Sequence, residues 1–139
     1  MTSMAEPLTV CPGLRYHDAQ AALSLLRDTF GFTEVVRYEN EDGSIAHAEL
    51  AYGNGMVMLG SVRDEPDTAY GRARAQLGPA SLYVVVQDVD AHHDRSVASG
   101  AAVLAPPADQ DYGSREYTVR DPEGNLWTFG TYVPQPPSG

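Results

Sequence analysis

The sequence predicts an α+β fold made of two tandem modules, each with the element order strand, helix, strand, strand, strand (βαβββ). Three observations predict it. Short apolar runs alternate with turns that contain Gly and Asp, helix-type spacing follows the first strand of each half, and a constant shift along the chain superposes the two halves. We expect curved sheets that carry the helices on their outer faces and enclose a cleft.

The first module is predicted over residues 8–62. Asp18 lies where a helix N-cap belongs, ahead of apolar residues spaced three and four apart, and Gly31 lies where a C-terminal cap is expected. Gly53-Asn54-Gly55 is typical of a tight hairpin turn. The predicted elements are strand 8–16, helix 19–30, and strands 33–38, 45–52 and 56–62.

The second module is predicted over residues 80–133. Asp88 is its helix cap, Gly100 ends the helix, and Asp121-Pro122-Glu123-Gly124 forms a turn before the last strand. Residues 63–79 are interpreted as a linker within a single domain of residues 8–133. The predicted elements are strand 81–87, helix 89–99, and strands 102–104, 116–120 and 126–132, with tails at 1–7 and 134–139.

The shift that carries position 18 to position 88 aligns residues at the same structural points of both halves. Asp18 falls on Asp88, Gly43-Ser44 on Gly113-Ser114, Gly60 on Gly130, Val57 on Trp127, and Leu59 on Phe129. We interpret this repeat as a duplicated module, with Trp127 and Phe129 in the core that faces the helix.

Composition excludes several functional classes. The chain has 139 residues, 19 Asp and Glu against 9 basic residues, and a net charge of -10, which argues against nucleic-acid binding. No apolar run is long enough to span a membrane, and the first residues lack the features of a secretory signal. The single cysteine, Cys11, excludes an intrachain disulfide and a zinc site built from cysteines. We expect a cytoplasmic protein.

This pair of modules, with Asp121-Pro122-Glu123-Gly124-Asn125 before the last strand, resembles the vicinal oxygen chelate superfamily. That superfamily contains glyoxalase, the bleomycin-resistance proteins and extradiol dioxygenases. The resemblance covers residues 8–133 and is most specific over 112–127. It implies either metal-dependent catalysis or drug sequestration in a cleft lined by both sheets.

The resemblance also implies metal ligands on the first and last strands of each module. The corresponding positions hold Cys11, Met58, Ser81 and Thr128. A hard divalent metal takes His, Asp or Glu ligands, so this set predicts that the chain binds neither a catalytic metal nor another cofactor.

Two polar residues alternate with apolar ones on the predicted third strand. With Ala46, Ala48 and Leu50 directed toward the helix, His47 and Glu49 face the cleft, where they could act as a general acid–base pair. The alternative is that they are solvated side chains on the wet face of the sheet. His92 and His93 are adjacent on the second helix and are interpreted as surface and helix-packing residues.

The predicted cleft also has apolar and aromatic side chains. Alternation places Met56, Met58, Tyr83 and Leu126 on its surface, with Tyr112, Arg115 and Tyr117 at the start of the seventh strand. Methionine and tyrosine suit a flat, largely apolar ligand with a few polar groups. The alternative is that these side chains only fill the space between the sheets.

We therefore expect metal-independent binding of a small, partly aromatic molecule, such as an antibiotic, in the cleft of a homodimer, without nucleic-acid or membrane partners. The alternatives are a glyoxalase- or dioxygenase-like lyase or isomerase, which uses His47 and Glu49 or an unrecognised metal site, and a regulatory domain without a ligand. The predicted ligand-binding residues are Cys11, His47, Glu49, Met56, Met58, Ser81, Tyr83, Tyr112, Arg115, Tyr117, Leu126 and Thr128.

Overall fold

The computed structural model describes residues 8–137, and the chain divides into two compact units between residues 72 and 73. The first unit has the predicted order of strand, helix and three strands. Its elements are β1 (Gly13–Tyr16), α1 (Ala19–Ser24), which continues as a π-helical turn (Leu25–Thr29), β2 (Thr33–Glu39), β3 (Ile45–Tyr52) and β4 (Gly55–Ser61).

The second unit repeats this order, which confirms the α+β fold of tandem βαβββ modules. A short helix, α2 (Ala69–Arg74), lies in the segment that the sequence led us to treat as a linker. The elements of the second module are β5 (Ser81–Val85), α3 (Val89–Ala98), β6 (Ala102–Asp109), β7 (Arg115–Arg120) and β8 (Leu126–Gly130).

The two sheets have the same topology, β1-β4-β3-β2 in the first module and β5-β8-β7-β6 in the second. In each sheet the first strand is parallel to the last, and the other pairs are antiparallel. The register of the parallel pair follows the sequence repeat, since Leu14 pairs with Leu59 and its counterpart Val84 pairs with Phe129. The duplication is therefore present in the hydrogen-bonded pairing as well as in the sequence.

Both predicted helix caps are formed. The side chains of Asp18 and Asp88 accept hydrogen bonds at 3.0 Å from the backbone N–H groups of Ala21 and Ala91. Each helix covers one face of its own sheet with apolar side chains. The buried residues include Leu23, Leu26 and Phe30 in the first module and Trp127 and Phe129 in the second.

β1 and β6 differ most in length from the prediction. β1 begins at Gly13 rather than Leu8, and the preceding Pro12 contributes only a carbonyl, which accepts a hydrogen bond from Met58 N–H. β6 continues to Asp109 through Pro106-Pro107. It lies at the edge of the sheet, where a residue without an N–H is tolerated.

A β-bulge in β3 breaks the constant spacing of the repeat. Tyr38 pairs with His47 and Glu39 pairs with Ile45, so Ala46 has no partner on β2. Beyond this point Ala48 pairs with Leu59, whereas in the second module Tyr117 pairs with Phe129. On β4 and β8, Leu59 still corresponds to Phe129, but on β3 and β7 the counterpart of Tyr117 is Ala48 rather than His47.

The turn before β8 is organised by one buried carboxylate. Asp121 is 3% exposed and accepts hydrogen bonds from the backbone N–H groups of Glu123 and Asn125, from the Asn125 amide and from the Trp127 indole. The Asn125 side-chain oxygen in turn accepts from Ala80 N–H, directly before β5. This turn therefore fixes the start of both parallel strands of the second sheet.

Within residues 8–137, no helix is both long enough and apolar enough to cross a membrane.

Replacement of Asp121 by Ala should lower the free energy of unfolding by about 3 kcal/mol or more, because four donors lose their acceptor in the interior. Replacement of Asp88 by Ala, which removes the cap of α3, should lower the free energy of unfolding by about 1 kcal/mol. Urea unfolding followed by the fluorescence of the single tryptophan, Trp127, measures both values. The control is Asp111→Ala in an exposed turn, which should stay within about 0.5 kcal/mol of the unmodified protein. Equal losses for Asp121 and Asp111 would contradict the structural role of the buried carboxylate.

Candidate functional site

The second module has a concavity of about 510 Å³ on the face of its sheet opposite α3. We call this side of each sheet the open face. The concavity brings together four of the predicted ligand-binding residues, which come from β5, the β6–β7 turn and β8. It is lined by Ser81, Leu82, Tyr83, Tyr112, Glu116, Thr128, Tyr132 and Pro134.

Three tyrosines shape this concavity. The rings of Tyr112 and Tyr132 meet edge to face, with centroids 6.4 Å apart and an interplanar angle of 89°. The Tyr83 hydroxyl donates a hydrogen bond to the Tyr132 carbonyl at 2.8 Å. All three residues are more than a third exposed, so their ring surfaces are accessible to a ligand.

Glu116 contributes the carboxylate of the concavity. Its Oε2 accepts a hydrogen bond from the Tyr112 hydroxyl at 2.7 Å. This bond, with some desolvation and the charge of Glu116, raises the pKa of Tyr112 to about 12. Tyr112 is therefore a neutral hydrogen-bond donor throughout the physiological pH range.

The close approach of Tyr83 to β8 requires a glycine at position 130. A Cβ on Gly130 would lie 2.6 Å from the Tyr83 hydroxyl and 2.7 Å from Cγ of Glu116. Tyr83 and Glu116 therefore both lie over Gly130. The absence of a side chain at Gly130, which the sequence repeat aligns with Gly60, leaves room for both of them.

On the open face of the first module, His47 and Glu49 form a pair. His47 Nε2 and Glu49 Oε2 are joined by a 2.8 Å hydrogen bond, and both side chains are more than a third exposed. The ring of Tyr38 stacks against His47 with centroids 6.5 Å apart. This arrangement agrees with the predicted alternation along β3, and it could hold or transfer a proton at the histidine ring.

The predicted sulfur-containing residues lie near this pair. Met58 is directly opposite Glu49 in the β3–β4 register, and Cys11 Sγ donates a hydrogen bond to the Met56 carbonyl at 3.4 Å. Burial raises the pKa of the Cys11 thiol, the charge of Glu49 raises it further, and a backbone hydrogen bond from Met58 partly opposes both effects. Cys11 is therefore a poor thiolate at neutral pH.

The residues at the metal positions implied by the resemblance do not fit a hard divalent metal. Ser81 and Thr128 offer neutral hydroxyls, and Thr128 Oγ1 shares a 2.8 Å hydrogen bond with Thr118 Oγ1. Cys11 and Met58 offer a protonated thiol and a thioether, which are soft donors. Within the part of the chain that the structure describes, no three His, Cys, Asp or Glu residues converge as a metal site would require.

The structure contradicts the predicted position of Tyr117. It is 1% exposed and lies on the helix side of the second sheet, where its hydroxyl is hydrogen-bonded to Ser96 Oγ at 2.8 Å and to His92 Nδ1. A repeat of constant spacing would align Tyr117 with His47, but the bulge at Ala46 aligns it with Ala48. Tyr117 is therefore a core residue on the helix side of the sheet.

Arg115 is directed away from the concavity, contrary to the prediction. Its guanidinium donates to both carboxylate oxygens of Asp90 on α3 and to Asp109 at the end of β6. The hydrogen bond to Arg115 lowers the pKa of Asp90. These bonds direct Arg115 toward the helix side of the sheet and make it a structural tie.

Of the remaining predicted residues, Leu126 is half-buried and alternates with Thr128 toward the open face, although it does not line the concavity.

His92 and His93 lie on α3 as expected, but His92 is not a surface residue. It is 9% exposed and its ring lies 4.3 Å from that of Phe129.

Sequence reasoning missed Glu116 and Tyr132. Because of the bulge at Ala46, Glu116 rather than Tyr117 occupies the position on β7 that corresponds to His47 on β3. An alignment of β3 with β7 that allowed for this extra residue would have identified Glu116. Tyr132 follows the end of β8, and its backbone N–H donates to Ser114 Oγ. The sequence repeat aligns Ser114 with Ser44 but does not indicate that Ser114 contacts Tyr132.

Comparisons with known proteins agree with this architecture. A family model described as the Glyoxalase/Bleomycin resistance protein/Dioxygenase superfamily matches residues 9–129. An uncharacterized protein of Mycobacterium bovis is 33% identical over 137 residues, which cover 96% of this chain and 88% of that protein.

Solved structures of other proteins share this architecture. The crystal structure of TioX from Micromonospora sp. ML1 is 35% identical, with a TM-score of 0.74, and the match covers 91% of this chain and 100% of that one. Lactoylglutathione lyase from Agrobacterium tumefaciens shares the fold at 22% identity, with a TM-score of 0.66, over 90% of this chain and 94% of that chain.

The proximity of Cys11 to Glu49 on the first open face can be tested by the reactivity of the thiol. Cys11 should react with iodoacetamide at about pH 8 more slowly than a cysteine in an unstructured peptide, because its raised pKa leaves less thiolate. Glu49→Gln removes a nearby negative charge and should speed the reaction by about twofold. Glu41→Gln, in the exposed turn after β2, is the control and should leave the rate unchanged. If both variants behave alike, Cys11 does not lie beside Glu49.

Proposed function

This chain belongs to the Glyoxalase/Bleomycin resistance protein/Dioxygenase superfamily, and within it we propose that the chain is a metal-independent binding protein for a small, partly aromatic organic molecule. The observation that carries the proposal is the concavity on the open face of the second module, with its three accessible tyrosines. Sequestration of an antibiotic is the biological role that we propose for such binding.

The size and chemistry of the concavity support this function. A volume of about 510 Å³ falls within the range of pockets that bind small ligands. The rings of Tyr112 and Tyr132 offer stacking surface, and the hydroxyls of Ser81 and Thr128 offer a few directional contacts. Burial of apolar ligand surface would then supply most of the affinity.

The donor chemistry supports binding without a metal. The positions where the superfamily's metalloenzymes have their ligands hold Cys11, Met58, Ser81 and Thr128, whose side chains do not suit a hard cation. Recognition in our proposal therefore relies on aromatic contacts and hydrogen bonds.

A homodimer and a cytoplasmic location belong to the same proposal. The edge strands β2 and β6 carry exposed apolar side chains, among them Val35, Tyr38 and Leu104. A second copy of the chain could cover such surfaces. The single cysteine suits a reducing compartment.

A second candidate function rests on the 2.8 Å pair of His47 and Glu49 on the first open face. A carboxylate that orients a histidine ring is a common arrangement around a general base. The chain would then be a lyase or isomerase that moves a proton between carbon atoms of its substrate.

The binding proposal is tested with a flat neutral probe, 1-naphthalenemethanol, titrated into ¹⁵N-labelled protein. Amide shifts should be concentrated around Tyr83, Tyr112 and Tyr132, and EDTA should not change the affinity. Tyr112→Ala and Tyr132→Ala should each weaken binding by about fivefold, because each removes a stacking surface. Tyr70→Ala on α2 removes a comparably exposed tyrosine and should have no effect. Loss of binding in EDTA, or shifts that avoid the concavity, would refute the proposal.

The oligomeric state is tested by sedimentation velocity at micromolar concentration. We expect the mass of two chains, because the exposed edge residues lose their contact with water on association. Tyr38→Lys and Leu104→Lys place charges on the two edges and should each shift the equilibrium toward the monomer, whereas Val97→Lys on α3 should not. A monomer at all concentrations would contradict the proposed dimer.

The second candidate is tested by exchange of the hydrogens of dihydroxyacetone for deuterium in D₂O, followed by NMR. Since we place binding ahead of proton transfer, we expect the same exchange rate with the unmodified protein and with His47→Gln. Exchange that is lost in His47→Gln and retained in Tyr112→Ala would instead establish proton transfer at the first open face.

A further inference from the structure

Glu116 is an unneutralised carboxylate inside the concavity of the second module. The bond it accepts from the Tyr112 hydroxyl involves a neutral donor. Among residues 8–137, the ion pairs join other carboxylates to Arg27, Arg37, Arg63, Arg115 or a histidine, and none of them includes Glu116.

The nearest arginine along the chain is not available to neutralise this charge. Arg115 is directed to the other side of the sheet, where Asp90 and Asp109 hold its guanidinium. The chain contains no lysine, and no arginine lines the concavity as the described residues form it. The negative charge of Glu116 is therefore directed toward the space where a ligand would lie.

The aromatic rings beside Glu116 also favour a positive charge. The face of a phenol ring carries partial negative charge and attracts a cation that lies over it. Tyr112 is hydrogen-bonded to Glu116, Tyr132 packs against Tyr112, and Tyr83 approaches the Cγ of Glu116 near Gly130. A carboxylate and three such rings thus surround one part of the concavity.

The equivalent place on the first module holds a histidine instead of a carboxylate. His47 occupies the β3 position that corresponds to Glu116 on β7, and it is hydrogen-bonded to Glu49. The carboxylate on that open face therefore has a partner in its own strand. Among the described residues, Glu116 accepts only from the neutral Tyr112 hydroxyl, and this difference favours the second module as the place where a cation binds.

We propose that the concavity of the second module selects organic molecules that carry a protonated or quaternary nitrogen, and that this nitrogen lies against Glu116 and the rings of Tyr112 and Tyr132. This inference rests on the proposed binding function and names its ligand class. The aromatic part of the ligand lies over the remaining tyrosine surface. The net charge of -10 assists the encounter with such a cation.

The test compares three probes of nearly equal shape: 1-naphthylmethylammonium, 1-naphthalenemethanol and 1-naphthoate, which are a cation, a neutral molecule and an anion. Binding is measured by ¹⁵N chemical shifts at low salt. The unmodified protein should bind the cation about tenfold more tightly than the alcohol, from the combined ion-pair and cation–π contacts, and should bind the anion most weakly.

Glu116→Gln is the decisive variant, because the amide oxygen can still accept from Tyr112 while the charge is removed. We expect the preference for the cation to fall to about twofold or less, with little change for the alcohol. Asp94→Asn removes the same charge from an exposed position on α3 and should keep the tenfold preference. Added NaCl should weaken binding of the cation but not of the alcohol.

The outcomes separate this inference from the proposed function. Equal affinity for the three probes at the concavity, or a cation preference that persists in Glu116→Gln, overturns the inference and leaves the binding function intact. If none of the probes shifts the resonances of the concavity, both are wrong. The salt dependence of the unmodified protein decides the question independently if Glu116→Gln fails to fold.

Discussion

The second module depends on the buried carboxylate of Asp121. Its four hydrogen bonds close the turn before β8 and hold Asn125, which then fixes the backbone of Ala80 at the start of β5. Tyr83 and Thr128 in the concavity come from these two strands. A buried carboxylate with several donors is strongly held, because each of those donors would be unsatisfied without it. The residues that the superfamily resemblance singled out in this turn are thus structural, and they act on function by setting the positions of strands whose other side chains line the site.

The fold could be predicted from the sequence because the features that determine it are local and occur twice. Asp18 and Asp88 cap helices, and glycines at 43 and 113 take positive φ angles of 85° and 91°, which side chains other than glycine rarely adopt. Each of these signals involves residues close together in the chain. The π-helical turn after α1 and the helix within 63–79 have no comparable signal in the sequence.

The side chains of β7 were predicted less well than the fold, because the constant spacing of the repeat does not hold along this strand. A strand directs successive side chains to opposite faces, so an error of one residue moves every side chain to the wrong side. The unpaired Ala46 introduces that error between β3 and β7. A constant spacing aligns Tyr117 with His47, whereas the observed pairing places Tyr117 in the core and Glu116 on the open face. The residues of β4 and β8 keep the constant spacing because the turn before β8 has one residue more than the turn before β4, and Thr128 faces as predicted.

The pairing of the strands also shows where the two modules differ in chemistry. With the bulge counted, His47 corresponds to Glu116 and Glu49 corresponds to Thr118. In the first module a histidine and a carboxylate lie on the same face of one strand and are hydrogen-bonded to each other. In the second module the position of that carboxylate holds Thr118, which bonds to the hydroxyl of Thr128 on the next strand, and the position of the histidine holds Glu116. A sheet can carry an uncompensated carboxylate only where water or a ligand reaches it, since full burial of the charge would cost several kcal/mol. Glu116 meets this condition, because it lines the concavity and is only partly buried. The absence of a Cβ on Gly130 leaves space for the Cγ of Glu116 and the ring of Tyr83.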